Sequence, residues 1–131
     1  MLDASALIAY LRDEPGADAV EDLFADDDEV CVAHAVNLCE VYYRAVRLSN
    51  AAKAAAIVND LIGTGLEVSR TLDVEFWMDV GDIKAIMPSV PLADCFVAAL
   101  ARRIDADAMT ADHPDFDLLK EEGICRVRFI R

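Results

Sequence analysis

Four acids stand beside apolar sequence rather than in runs of charge: Asp3 in LDASALIAYL, Glu40 in NLCEVYYRA, Asp94 in PLADCFVAALA and Asp112 in TADHPDF. Carboxylates gathered at one place repel one another, and a fold tolerates that only where protons or cations compensate. Donors that are all oxygen select hard cations, Mg²⁺ first with Mn²⁺ as a substitute. Carboxylate-lined Mg²⁺ sites usually act on phosphate esters.

Each acid also has a plainer explanation when taken alone. Glu40 is spaced i,i+4 from Arg44, a helix ion pair worth roughly 0.2–0.5 kcal/mol. Asp94 falls in the first turn of a helix, where the dipole favours a carboxylate by about 0.3–1 kcal/mol. Asp112 is followed by Asp115 and Asp117, which reads as an acid-rich loop with an Asx-turn. An EF-hand is excluded, because Met109 and Thr110 fall where its third acid and its glycine belong. The fold decides between the two explanations, by bringing the acids together or leaving them apart.

Hydropathy periodicity gives the elements that would position them. Leu2 leads into Asp3 as a very short strand. Helices are expected over Ala6–Leu11, Ala17–Phe24, Asn37–Leu48, Ala51–Ile62, Val74–Ile86 and Leu92–Ile104. Pro15-Gly16 separates the first two, Gly63 and Gly65 stop the fourth, Gly81 is a candidate break in the fifth, and Pro91 suits the first position of the sixth. Strands are expected over Val30–Ala33, Leu66–Ser69, Ala106–Thr110 and Arg126–Ile130. Short strands alternating with helices predict a parallel sheet covered by helices on both faces. Ligands collect at the carboxyl ends of such strands, which is where Asp3 and Asp112 would sit.

At 131 residues and 56% hydrophobic content, one domain spanning 1–131 with a core of its own is expected. No apolar run suits a bilayer, and no basic segment with a following cleavage pattern marks a signal peptide. Cys31, Cys39, Cys95 and Cys125 form no C-x-x-C pair, so buried reduced thiols in a cytoplasmic protein are expected. The net charge of −13 repels nucleic acid and favours a basic partner.

The four acidic blocks, in this order and over nearly the whole length, resemble the PIN-domain family, and within it the VapC-type toxins of toxin–antitoxin systems. The resemblance implies a three-layer α/β/α sandwich with a central, mainly parallel sheet and an Mg²⁺-dependent ribonuclease. Asp3, Glu40, Asp94 and Asp112 match the family's acidic quartet, and Ser5 and Thr110 match small hydroxyl residues near its first and last acids. Asp3, Glu40 and Asp94 would then hold one Mg²⁺, and Asp112, with Asp115, would orient its water shell or hold a second ion. Metal-activated water would cut the RNA, leaving 5′-phosphate and 3′-hydroxyl ends.

The resemblance further implies a small antitoxin as partner and a homodimer. An acidic cleft suits a basic segment of that antitoxin. Candidate phosphate contacts are Arg12, Arg44, Arg47, Lys53, Arg102 and Arg103, with Arg44 and Arg47 first because they lie on or beside the Glu40 helix face. His113 reads as a surface histidine. Relative to the family, the segment ahead of Asp3 is short and the pI near 4.3 is low for an RNA-binding protein. Two rivals are a catalytically inactive PIN fold that only binds a partner, and a phosphoacceptor receiver domain. The receiver domain requires two acids after the first strand and a late loop lysine, a pattern this chain lacks.

Overall fold

The computed structural model describes residues 1–131. Four three-residue strands form two parallel ladders: β1 (Val32–His34) pairs with β2 (Glu67–Ser69), and β3 (Ala108–Thr110) with β4 (Val127–Phe129). The first residues of the chain join the ladders. Leu2 N donates to Val32 O at 2.7 Å on one side; on the other, Met109 N donates to Met1 O at 2.8 Å and Asp3 N donates to Met109 O at 2.9 Å. The spatial order is therefore β2, β1, residues 1–3, β3, β4, with the amino-terminal segment at the centre.

Seven helices cover this layer: α1 (Ala4–Leu11), α2 (Ala17–Ala25), α3 (Ala35–Leu48), α4 (Ala51–Gly63), α5 (Val74–Ile86), α6 (Leu92–Arg103) and α7 (His113–Glu121). Side chains alternate across a strand, so neighbouring residues enter opposite cores. Leu2, Ala33 and Met109 pack with Leu7, Val20, Leu38, Val41 and Leu61 of α1 to α4. Met1 and Ala108 pack on the other side with Phe76 and Ile83 of α5, much of α6, and Phe116 and Leu119 of α7. This is the expected three-layer α/β/α sandwich. By the same alternation Asp3 and Thr110, each the next residue along, face the α6 side at the carboxyl ends of adjacent strands.

The structure differs from the sequence-based expectation in several places. The stretch from Asp112 to Asp117, expected as an acid-rich loop, instead opens α7, because Pro114 starts a helix and Phe116 and Leu119, three apart, are both fully buried. Gly81 does not interrupt α5. Pro91 is the N-cap of α6, one place before its first residue. All four cysteines are free, but only Cys31 and Cys95 are buried; Cys39 is exposed on α3 and Cys125 is half-buried. No helix is long and apolar enough to cross a membrane. Gly16, at φ +89°, takes a left-handed turn so close to the last strand that a Cβ there would meet Ile130 O at 2.5 Å.

Candidate active site

Asp3 ends the central strand segment and starts α1 as its N-cap, accepting from Ser5 N at 3.1 Å. The Ser5 hydroxyl donates to the same oxygen, Oδ2, at 2.7 Å, and the Thr110 hydroxyl at 3.0 Å. Ser5 Oγ in turn accepts from Ala111 N, and Thr110 Oγ1 from Asp112 N, so both hydroxyls are held by the backbone that leaves β3. The carboxylate is 3% exposed. Burial pushes its pKa upward, against the pull of the hydrogen bonds from Ser5 and Thr110.

Asp94 sits in the first turn of α6, also buried, and no protein group donates a hydrogen bond to its side chain. Its carboxyl oxygen lies with those of Asp112 and Asp115 in a group whose members are all within 4.8 Å of one another. Burial, then the charges of Asp3, Asp115, Asp112 and Glu40, push its pKa up to about 8. Asp112 is the N-cap residue of α7, but its side chain makes no capping bond and no Asx-turn, which leaves the carboxylate free. Asp115 follows three residues later, on the same helical face. Burial and Asp112 raise the Asp115 pKa, and the positive charge of Lys84 opposes the rise.

Glu40 stands at the margin. It influences Asp94, yet its carboxylate is paired with Arg44 at 2.6 Å. Arg47 lies over the Tyr43 ring, 5.0 Å from its centroid. Both arginines line a groove of about 480 Å³ between α1, α3 and α4, with Ile8, Leu11, Val41 and Ile57 as its apolar wall. A larger cavity, about 650 Å³, lies at the opposite, amino edge of the sheet beside Met1, Val32 and Asp107, and contains none of these acids.

Asp3, Asp94, Asp112 and Asp115 thus converge at the carboxyl edge of a parallel sheet, from three separated stretches of chain. A model of the PIN domain family matches residues 1–121. The chain belongs to the PIN domain family. Three solved structures share the fold. VapBC-1 from nontypeable Haemophilus influenzae superposes with a TM-score of 0.75 at 15% identity, covering 99% of this chain and 96% of that one. DNA-bound VapBC from Salmonella typhimurium gives 0.76 at 19% identity, with 100% and 97% covered. VapBC2 from Rickettsia felis, bound to a DNA fragment from their promoter, gives 0.73 at 13% identity, with 98% and 96% covered. No curated protein sequence matches the chain significantly.

The donor set of this PIN domain fits a hard divalent cation: three carboxylates with free oxygens face one another, and within the chain only protonation and the charge of Lys84 relieve the repulsion. Two further side chains serve the cluster. Asn37, fully buried on α3, donates to Asp3 Oδ1 and to Ala93 O. Lys84 donates to Pro88 O at 2.9 Å and Val90 O at 2.6 Å, fastening the turn that leads into α6. The only sequence signal for Asn37 is its position one turn before Glu40 on the same helix, three residues away; for Lys84 there is none.

Proposed function

We propose that this PIN domain is an Mg²⁺-dependent endoribonuclease and the toxin of a toxin–antitoxin pair. The carrying observation is the group formed by Asp94, Asp112 and Asp115, with Asp3 and Glu40 at its edge. Asp94, Asp112 and Asp115 would hold the cation together with Asp3, and Glu40 would complete the negative cleft; Mn²⁺ would substitute. When bound, the cation supplies a water of lowered pKa and offsets charge on the phosphoryl oxygens.

The side chains prepare that cleft. Ser5 and Thr110 lock the Asp3 carboxylate, so its orientation does not depend on a ligand. Asp94, with its pKa raised to about 8, holds a proton near neutral pH, and a cation takes that proton's place. Asp112 and Asp115 bring two more charges from one helical turn. Arg44, beside Glu40, is the first candidate to meet an RNA phosphate, and Arg47 the second.

The net charge of −13 keeps general RNA affinity low, so recognition rests on particular features of the RNA. The same cleft suits a basic segment of an antitoxin. The partner reading is supported by the similar structures, which are VapBC complexes. A homodimer acting in the cytoplasm completes the proposal.

End-group analysis of RNA fragments made by the homogeneous protein tests the reaction. Attack by water leaves 5′-phosphate and 3′-hydroxyl ends. Cyclic 2′,3′-phosphate ends would show that the RNA's own hydroxyl attacks, and would overturn this mechanism.

A further inference from the structure

The fold treats the two oxygens of Asp3 differently. Oδ2 accepts three hydrogen bonds, from Ser5 N at 3.1 Å, Ser5 Oγ at 2.7 Å and Thr110 Oγ1 at 3.0 Å. Oδ1 has one partner, Asn37 Nδ2, at 3.4 Å. The same nitrogen donates to Ala93 O, also at 3.4 Å, and Ala93 directly precedes Asp94. Asn37 is 0% exposed, and its own Oδ1 is buried without a partner.

The orientation of that amide is set by its surroundings. A flipped amide would turn its oxygen toward two acceptors, Asp3 Oδ1 and Ala93 O, and lose both bonds. A buried amide with an unmatched oxygen is a poor choice for stability alone, and Leu38 and Val41 on the same helix show what the core otherwise takes. Asn37 therefore lies at the meeting point of three site-bearing elements: the end of the central strand, the first turn of α6, and α3 itself.

We propose that Asn37 is a positioning residue of the acidic cluster: its amide nitrogen holds Asp3 Oδ1 against the first turn of α6 and so sets the placement of Asp3 relative to Asp94. The inference rests on the reading of the cluster as a divalent-cation site. Oδ2 is saturated by its three donors, so Oδ1 is the Asp3 oxygen with a lone pair to spare for a cation. A single long hydrogen bond orients that oxygen without exhausting it. Partners that orient ligating carboxylates in this way typically change metal affinity by roughly 10- to 100-fold when removed.

Mn²⁺ alone is the probe, with free Mn²⁺ followed by its EPR signal in titrations of wild type, Asn37→Ala, Asn37→Leu and Asp3→Asn. Circular dichroism establishes that each protein is folded at the temperature used. Leucine keeps the branched shape of the asparagine side chain without its donor, so this variant remains informative where alanine leaves a cavity. Both Asn37 variants are expected to bind Mn²⁺ about 10- to 100-fold more weakly than wild type. A purely structural role would lower the melting temperature and leave the dissociation constant of the folded protein unchanged. A folded Asn37 variant with wild-type Mn²⁺ affinity, alongside weakened binding in Asp3→Asn, overturns the inference and leaves the cation site standing. A wild-type protein that takes up no Mn²⁺ overturns the cation site itself, and the inference with it.

Discussion

The Thr110 hydroxyl donates to Asp3 Oδ2 across 3.0 Å, joining the end of β3 to the third residue of the chain. Both residues are buried, and both face the α6 side because strand alternation turns them the same way. The hydrogen bond fixes the first acid before any ligand arrives.

Thr110→Val keeps the shape and removes that donor. It also deprives Asp112 N of its acceptor. A buried group left without its partner costs roughly 1–3 kcal/mol, so the variant should unfold at lower urea than wild type by an amount in that range. Thr110→Ser should recover most of the loss. Equal stability of wild type and Thr110→Val would show that the hydroxyl contributes nothing.

Asp94 carries the pH dependence of the metal-free protein. Its folded-state pKa is about 8, against an ordinary value of 3.8, so the native chain holds a proton that the unfolded chain has lost. The contribution is complete below about pH 4 and is lost progressively as pH rises toward 8. The raised pKa of Asp3 adds in the same direction. Asp94→Asn removes the charge without removing a hydrogen bond. In EDTA the variant should therefore melt above wild type at pH 8, with the gap closing toward pH 5. A gap that does not change with pH contradicts the assignment.

Glu40 separates function from stability. Its pair with Arg44 is half exposed and spaced i,i+4, so breaking it costs no more than about 0.5 kcal/mol. Glu40→Gln should leave the melting temperature nearly unchanged while RNA cleavage falls by at least tenfold. Full activity in that variant would remove Glu40 from the site.

Charge should govern the antitoxin encounter. Between this chain at −13 and a basic segment, the association rate is expected to fall steeply as salt rises, with a much smaller change in the dissociation rate. Stopped-flow measurement at two ionic strengths decides it; a salt-independent association rate would exclude electrostatic steering.

The fold and the acidic blocks were legible because each block joins an acid to an apolar pattern of clear period. Asp3, Asp94 and Asp112 stand where that pattern places strand ends and a helix start. What was missed has a common origin. Three acids within six residues, Asp112, Asp115 and Asp117, hid the short amphipathic turn set by Phe116 and Leu119. Without α7 there was no reason to put Asp112 and Asp115 on one face, so Asp115 was given a minor part, whereas the structure groups it with Asp94 and Asp112. Asn37 was invisible for a different reason: its partners, Asp3 and Ala93, lie 34 and 56 residues away, and no local pattern records them.

The most direct measurement is single-turnover cleavage of RNA by wild type and Asp94→Asn, each with saturating Mg²⁺ and with EDTA. Wild type should cut only with Mg²⁺ and recover its full rate when the metal is restored, and Asp94→Asn should be at least a hundredfold slower while remaining folded. Undiminished cleavage in EDTA, or a wild-type rate in Asp94→Asn, would contradict a metal-dependent nuclease centred on these carboxylates.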